Sequence, residues 1–234
     1  MNTFTYNSIP SSTYGIFIEH RPVQVFPKRI IESVSIPGRS GNFLIDTGAY
    51  DNVTMTYQVA YIHSGSVRAD AINIATWLYQ NQYCNLTDTY EPLYYRKAVY
   101  VSPLNVTDIL NEAGRANITF DCKPQRYLLS GLTALTPASG SSITNDYQTA
   151  KPIITITGSG TGSVSIGAST IAITGQTDDI ILDCENMTAE ENGANANSKL
   201  TITGGYPELV NGANLVTFSG GVTAISVVPN WWTL

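Results

Sequence analysis

Val53-Thr-Met-Thr-Tyr-Gln-Val-Ala-Tyr61 is the stretch that decides the fold class of this chain. Its large apolar side chains alternate with Thr, Gln and Ala, and a period of two is that of a β-strand with one buried face. Further β-rich runs lie at residues 43–46, 93–101 and 114–122. The sequence therefore predicts a first domain built mainly from β-strands.

A less regular run precedes this strand. Arg29-Ile-Ile-Glu-Ser-Val-Ser-Ile36 alternates imperfectly and leads into Pro37-Gly-Arg-Ser-Gly41. Pro fixes φ and Gly tolerates positive φ, so this ending predicts a turn. We expect a strand over residues 30–36 whose even positions are buried, with Glu32 as the exception.

One helix is predicted, over residues 67–79. Its apolar residues recur every three or four positions and so form one stripe. Ser66 is a candidate N-cap, and Asp70 lies early enough to favour the helix dipole. Trp77 flanks the stripe, where core packing is the expected role. The stripe consists of Val67, Ala71, Ile74, Ala75 and Leu78.

The second half of the chain shows no helix pattern. Pro124 breaks the strand at 114–122, because proline cannot donate a ladder hydrogen bond, and a Ser/Thr/Gly-rich stretch follows. We therefore predict two domains, 1–130 and 131–234. Seven short strands with turns between them indicate an antiparallel sandwich or jelly roll; they are predicted at 152–157, 163–166, 170–174, 179–184, 199–203, 214–218 and 223–228.

The composition excludes several classes of protein. Charged residues make up 13% of the chain, against about 25% in average soluble proteins, which suits a subunit with large interfaces but also an ordinary secreted β-protein. The 12 Lys and Arg are scattered and the net charge is −6, which disfavours nucleic-acid binding. No apolar stretch is long enough to span a membrane. The N-terminus lacks a signal-peptide pattern, so folding in a cytoplasm is expected.

Residues that could carry chemistry are few. His20 and His63 are the only histidines and stand in turn-like contexts without an orienting acid, so neither is expected to be catalytic. Gly158-Ser-Gly-Thr-Gly162 precedes a strand instead of a helix, which predicts a hairpin turn and not a phosphate loop. We predict no catalytic, metal or cofactor site. An acidic group remains as a calcium alternative, although its alternation indicates a solvated strand face; it comprises Asp178, Asp179, Asp183 and Glu185.

The three cysteines form neither a disulfide framework nor a zinc pattern, because their number is odd and their spacing long. Cys122 and Cys184 lie in β-like runs, where we expect buried free thiols that pack as small hydrophobic groups. Cys84 completes the set.

The order of several segments resembles the distal tail protein family (Dit) of long-tailed, siphophage-type bacteriophages. The resemblance extends over nearly the whole chain, and no single segment decides it. The segments are Ser11–Ile16, Ile36–Gly41, Trp77-Leu78, Phe120–Arg126 and Pro229–Trp232.

The resemblance implies a tail-tube-like N-terminal β-domain with one helix and a C-terminal galectin-like β-sandwich. It implies a non-enzymatic ring, a homohexamer, at the virion tail tip, assembled in the host bacterial cytoplasm. The implied partners are the tail tube protein, the tail-associated tip protein and a receptor-binding protein, with DNA passing through the channel without specific binding. Arg39, Trp231 and Trp232 are the candidate subunit-interface residues; Arg39 as a plain turn residue is the alternative.

Two other functions stay open at this point. A lectin-like carbohydrate-binding module that contacts the host surface would rest on the C-terminal sandwich and its aromatic residues. A hydrolase of cell-wall polymers would need an acid pair or a nucleophile, and the sequence offers no such set.

Overall fold

The computed structural model describes residues 1–62, 67–103, 106–110 and 113–234. The chain divides into two compact units, Met1–Arg126 with Leu234 and Tyr127–Thr233. The boundary predicted from the sequence, between residues 130 and 131, lies a little further along the chain. The predicted mainly β fold with one helix is confirmed.

The helix of the first unit, α1, spans Val67–Leu78, and a short 3-10 turn covers Ser11–Tyr14. The predicted N-cap Ser66 lies outside the described residues, as does the side chain of Val67. The strands of this unit are β1 (Phe4–Tyr6), β2 (Ile9–Pro10), β3 (Ile16–Ile18), β4 (Arg29–Val34), β5 (Phe43–Tyr50), β6 (Val53–Ile62), β7 (Cys84–Asp88), β8 (Tyr94–Tyr100), β9 (Val106–Leu110) and β10 (Ala113–Cys122).

One antiparallel sheet organises the first unit, in the order β2-β1-β7-β8-β10-β6-β3, with β9 beside β10. The alternation of the opening stretch is confirmed along β6. Val53, Met55, Tyr57, Val59 and Tyr61 are buried, and the Thr and Gln residues between them are exposed. No helix in the described part of the chain is long and apolar enough for a membrane span.

Aromatic rings fill the core between α1 and the sheet. Phe4 stacks on Tyr57 with ring centroids 5.0 Å apart and on Trp77 at 5.7 Å. The Trp77 indole Nε1–H donates to the Tyr6 carbonyl at 3.0 Å, so the polar atom of this buried ring is satisfied. Trp77 is therefore a core residue, as expected from its place in the helix.

The second unit is all β apart from 3-10 turns at Leu129–Leu132 and Asn197–Lys199. The strands are β11 (Arg126–Leu128), which begins at the last residue of the first unit, β12 (Ser142–Asn145), β13 (Ile153–Ile166), β14 (Ser169–Gln176), β15 (Ile180–Asp183), β16 (Thr188–Glu191), β17 (Ala194–Asn195), β18 (Leu200–Thr203), β19 (Gly212–Val228) and β20 (Trp232–Thr233). The sheet of this unit runs β12-β19-β13-β15-β16-β17, and β14 pairs with both β13 and β18.

The hairpin turn predicted at Gly158–Gly162 is wrong, because these residues lie inside the continuous strand β13. The glycines serve a close approach of two strands instead. A Cβ on Gly158 would lie 2.3 Å from the Gly221 carbonyl oxygen, and one on Gly221 would lie 1.8 Å from the Ser159 carbonyl oxygen. The register shifts here, as expected at a β-bulge. The strands predicted at 152–157 and 163–166 are thus one strand, as are those at 214–218 and 223–228.

Candidate functional site

A long exposed segment projects from the first unit in sequence between β3 and β6. Of residues 20–49, all but Pro22 and Pro27 are exposed. Its strands β4 and β5 pair only with each other among the described strands. We call residues 20–50 the arm and residues 21–25 its root. An isolated two-stranded hairpin is marginally stable in water, so the arm gains by packing against another surface.

The arm exposes large apolar side chains on both faces. Leu44 is 62% exposed and its neighbours Phe43 and Ile45 are 48% and 41% exposed, as is Ile31 on the paired strand at 46%. The expectation that the even positions of 30–36 are buried is wrong for this reason. Consecutive apolar residues, as in Phe43-Leu44-Ile45, point to opposite sides of a strand, and no element of the described chain covers either side.

Polar contacts nevertheless order the hairpin. Arg29 forms an ion pair with Asp46. The Thr47 hydroxyl donates to the Ile30 carbonyl at 2.9 Å, and the Asn42 side-chain amide donates to the Ser33 hydroxyl at 2.8 Å. The arm is therefore a formed β-element whose apolar side chains are held in place, which lowers the entropy cost of docking.

Charge distinguishes the arm from the rest of the chain. The arm contains four cations, Arg21, Lys28, Arg29 and Arg39, and two acids, for a net charge of +2. The whole chain carries −6, so the remainder carries −8. An apolar and weakly basic arm is complementary to an acidic body of the same kind, and such complementarity favours association between copies.

The predicted interface residues lie in different units. Arg39 is exposed in the turn between β4 and β5, where its backbone N–H donates to the Ile36 carbonyl at 3.2 Å. Trp231 is 8% exposed and packs near Tyr147 at 6.4 Å between ring centroids. Trp232 is half-buried, and its Nε1–H donates to the Thr149 carbonyl at 2.9 Å. Their role as interface residues stays a prediction.

Sequence reasoning missed the apolar residues of the arm as candidates. The signal was present, because Ile30-Ile31 and Phe43-Leu44-Ile45 place apolar residues at successive positions. In a strand with one solvated face such residues alternate. Successive apolar residues in a strand without a helix pattern are typical of a strand whose two faces are both covered.

The candidate chemical residues are not assembled into a reactive site within the described residues. His20 is exposed in the arm, and His63 lies outside the described residues. Cys84, Cys122 and Cys184 are free and buried, which confirms the expected thiols. Burial raises the pKa of Cys122 and of Cys184 to about 12. Where residues are described, no group of three His, Cys, Asp or Glu side chains is placed to hold a metal ion.

The acidic group of the second unit stabilises turns. The Asp183 carboxylate accepts hydrogen bonds from the backbone N–H groups of Glu185 and Asn186, both at 2.9 Å. Glu191 accepts from the backbone N–H groups of Thr177 at 2.8 Å and Asp178 at 3.1 Å, and forms an ion pair with Lys199. These contacts assign the carboxylates of Asp183, and of the nearby Glu191, to local structure.

Glu191 makes the second unit sensitive to acid. The contact with Lys199, followed by the two backbone donors, lowers the pKa of Glu191 from its ordinary 4.5 to about 2. A carboxyl group whose pKa is lower in the folded state stabilises the fold above its ordinary pKa, and this stabilisation is lost as the pH falls towards 2. We expect Glu191→Gln to flatten the pH dependence of stability of the second unit between about pH 4.5 and 2.

Urea unfolding at pH 7 and pH 3 measures this effect. In a Trp77→Phe background the remaining tryptophans, Trp231 and Trp232, report on the second unit alone. Glu190→Gln is the matched control, because Glu190 is the exposed neighbour of Glu191. An unchanged pH dependence in Glu191→Gln would contradict the assignment.

Comparison with known proteins identifies relatives of this architecture. The family model described as the phage tail protein RIFT-related domain matches residues 3–122. The crystal structure of the SPP1 Dit protein, described as a paradigm of the hub adsorption apparatus in phages that infect Gram-positive bacteria, is similar over 100% of both chains, with a TM-score of 0.75 and 14% identity. That identity establishes a shared fold alone. No curated protein sequence matches the chain.

Proposed function

This chain belongs to the family of phage tail proteins with a RIFT-related domain, and from that premise we propose that it is a structural subunit that forms a ring at the tip of the tail. The resemblance to the distal tail family seen in the sequence is confirmed by this match together with the Dit-like fold. The ring, the number of copies and the partners are part of the proposal.

The exposed apolar arm is the main observation in support of a ring. Contiguous apolar surface of this kind marks interaction sites in soluble proteins. We take a second copy of the chain as the occupant, because the arm carries +2 and the remainder −8. A surface that binds a different surface of the next copy is heterologous, and a heterologous contact forms a ring where its repeated rotation closes. Arg39, at the tip of the hairpin, would then pair with acidic side chains of the neighbouring copy.

The ring in this proposal is a homohexamer that joins the tail tube protein to the tail-associated tip protein and to receptor-binding proteins. The low content of charged residues, 13%, supports it, because the cores of interfaces are depleted in charge. The acidic balance of the chain supports DNA passage without specific binding, since like charges keep DNA from adhering to a channel wall.

The carbohydrate-binding alternative has less support. All three tryptophans of the chain are described, and Trp77 and Trp231 are buried while Trp232 is half-buried. A galectin-like assignment of the second unit stays a prediction. Binding of the purified protein to a glycan array would favour the lectin function over the structural one.

The mass of the purified protein in solution tests the ring. Light scattering should give about six times the 25.3 kDa of one chain, with closed rings in negative-stain images. A monomer at every concentration, also after addition of the tail tube protein and the tip protein, would contradict the proposal.

A further inference from the structure

A buried guanidinium in the first unit has hydrogen-bond donors without partners. Arg96, on β8, is 5% exposed, and within the described residues its Nε and Nη1 atoms make no hydrogen bond. Burial lowers the pKa of Arg96, yet a guanidinium stays protonated in proteins. A buried charged donor without a partner is costly, because it has lost its water and gained nothing in exchange. Arg96 therefore requires an acceptor beyond its present neighbours.

The two carboxylates that line one cavity with Arg96 are engaged with other donors. Oδ1 of Asp88 accepts two backbone N–H groups, those of Tyr90 at 2.8 Å and Glu91 at 2.9 Å, and Oδ2 accepts the Tyr57 hydroxyl at 2.8 Å. Oε1 of Glu91 accepts Nη2 of Arg126 at 2.9 Å. Oδ2 of Asp88 and the oxygens of Glu91 each keep a free lone pair, so both carboxylates can still accept a hydrogen bond from a small molecule between them and Arg96.

A cavity of about 20 Å³ provides the space for such a molecule. Arg96, Asp88 and Glu91 line it, and the root of the arm, Arg21–Val25, forms another part of its wall. One water molecule needs roughly 10–15 Å³ and two to four polar partners. The cavity thus has the size and the donors and acceptors for one molecule of this kind.

We propose that the cavity holds one water molecule, which accepts a hydrogen bond from Arg96 and donates to Asp88 and Glu91, and that this site fixes the root of the arm to the sheet. Water suits this wall better than a halide ion, because water can donate to the carboxylates as well as accept from Arg96.

The other contacts of the root with described residues of the sheet are weak. The Arg21 guanidinium carbon lies 5.8 Å from the centroid of the Tyr90 ring, near the outer limit of a cation–π contact. Val23 of the root is 78% exposed, so it contributes little packing. Arg96 is therefore a positioning residue for the arm. This inference concerns the single chain and holds whether or not copies form a ring.

A crystal structure grown in sodium bromide identifies the occupant of the cavity. A single peak within hydrogen-bond distance of Arg96, without anomalous signal, supports the water site. An anomalous bromide peak in the cavity would overturn the proposed water site and identify an anion-binding site instead. An empty cavity, with Arg96 turned onto Asp88 or Glu91, overturns the site itself.

Backbone order parameters from NMR relaxation test the positioning role. In Arg96→Met we expect the order parameters of Arg21, Val23, Gln24 and Val25 to fall from about 0.85 to below about 0.6, because a root without its anchor moves more, while those of residues 53–62 stay unchanged. Lys151→Met, which removes an exposed cation of the second unit, is the control. Unchanged order parameters at the root in Arg96→Met would refute the role. If this variant fails to fold, the bromide structure of the natural chain still decides the site.

Discussion

Replacing Leu44 by glutamate should leave the purified protein monomeric, near 25.3 kDa, under conditions in which the natural chain forms rings. Leu44 is 62% exposed in the single chain and becomes buried if the arm packs on a neighbouring copy. The change removes about 2 kcal/mol of apolar burial and places an unpaired charge in the contact, which costs about 3 kcal/mol more. Because a ring repeats one contact, the loss applies at every interface.

Leu93→Glu is the matched control for this experiment. Leu93 is the same residue type in the same unit, is 69% exposed and lies outside the arm, so its replacement should leave the rings intact. Light scattering measures both variants. If Leu44→Glu still forms rings, the arm is not part of the interface. If both variants are monomers, the added charge has a general effect on assembly. In the same assay, intact rings in Arg39→Ala would identify Arg39 as a turn residue only.

Regular elements of the first unit could be predicted because each has a buried face and a solvated face. The alternation of β6 and the apolar stripe of α1 record that difference directly in the sequence. The arm has no such difference, because both of its faces are exposed in the single chain. The sequence of residues 30–36 therefore shows only imperfect alternation, and the predicted burial of its even positions was wrong.

Long-range pairing was harder to infer. The glycines of β13 permit positive φ and so resemble a turn, and a single sequence does not reveal that Gly220 and Gly221 face them across the sheet. The buried Arg96 was missed for a similar reason. Its strand, Tyr94–Tyr100, reads as a half-buried strand in which an arginine is expected on the solvated face.

The glycine contact between β13 and β19 provides the second prediction. Gly221→Ala should destabilise the second unit by at least about 3 kcal/mol, because overpacking against an atom that cannot move is costly. The added Cβ would lie 1.8 Å from the backbone carbonyl oxygen of Ser159. A flexible side chain could turn away, but this oxygen belongs to the backbone of β13. The two longest strands of the unit would have to separate where they meet.

Gly160→Ala separates this clash from backbone strain. Gly160 lies in β13, the strand that pairs with the strand of Gly221, at φ +78° with nothing within 4 Å of an added Cβ, so its replacement should cost only the left-handed conformation, about 1 kcal/mol. Urea unfolding followed by Trp231 and Trp232 fluorescence in a Trp77→Phe background measures both variants. A loss in Gly221→Ala no larger than that in Gly160→Ala would contradict the steric role of Gly221, whereas a larger loss would show that the close contact of the two strands requires it.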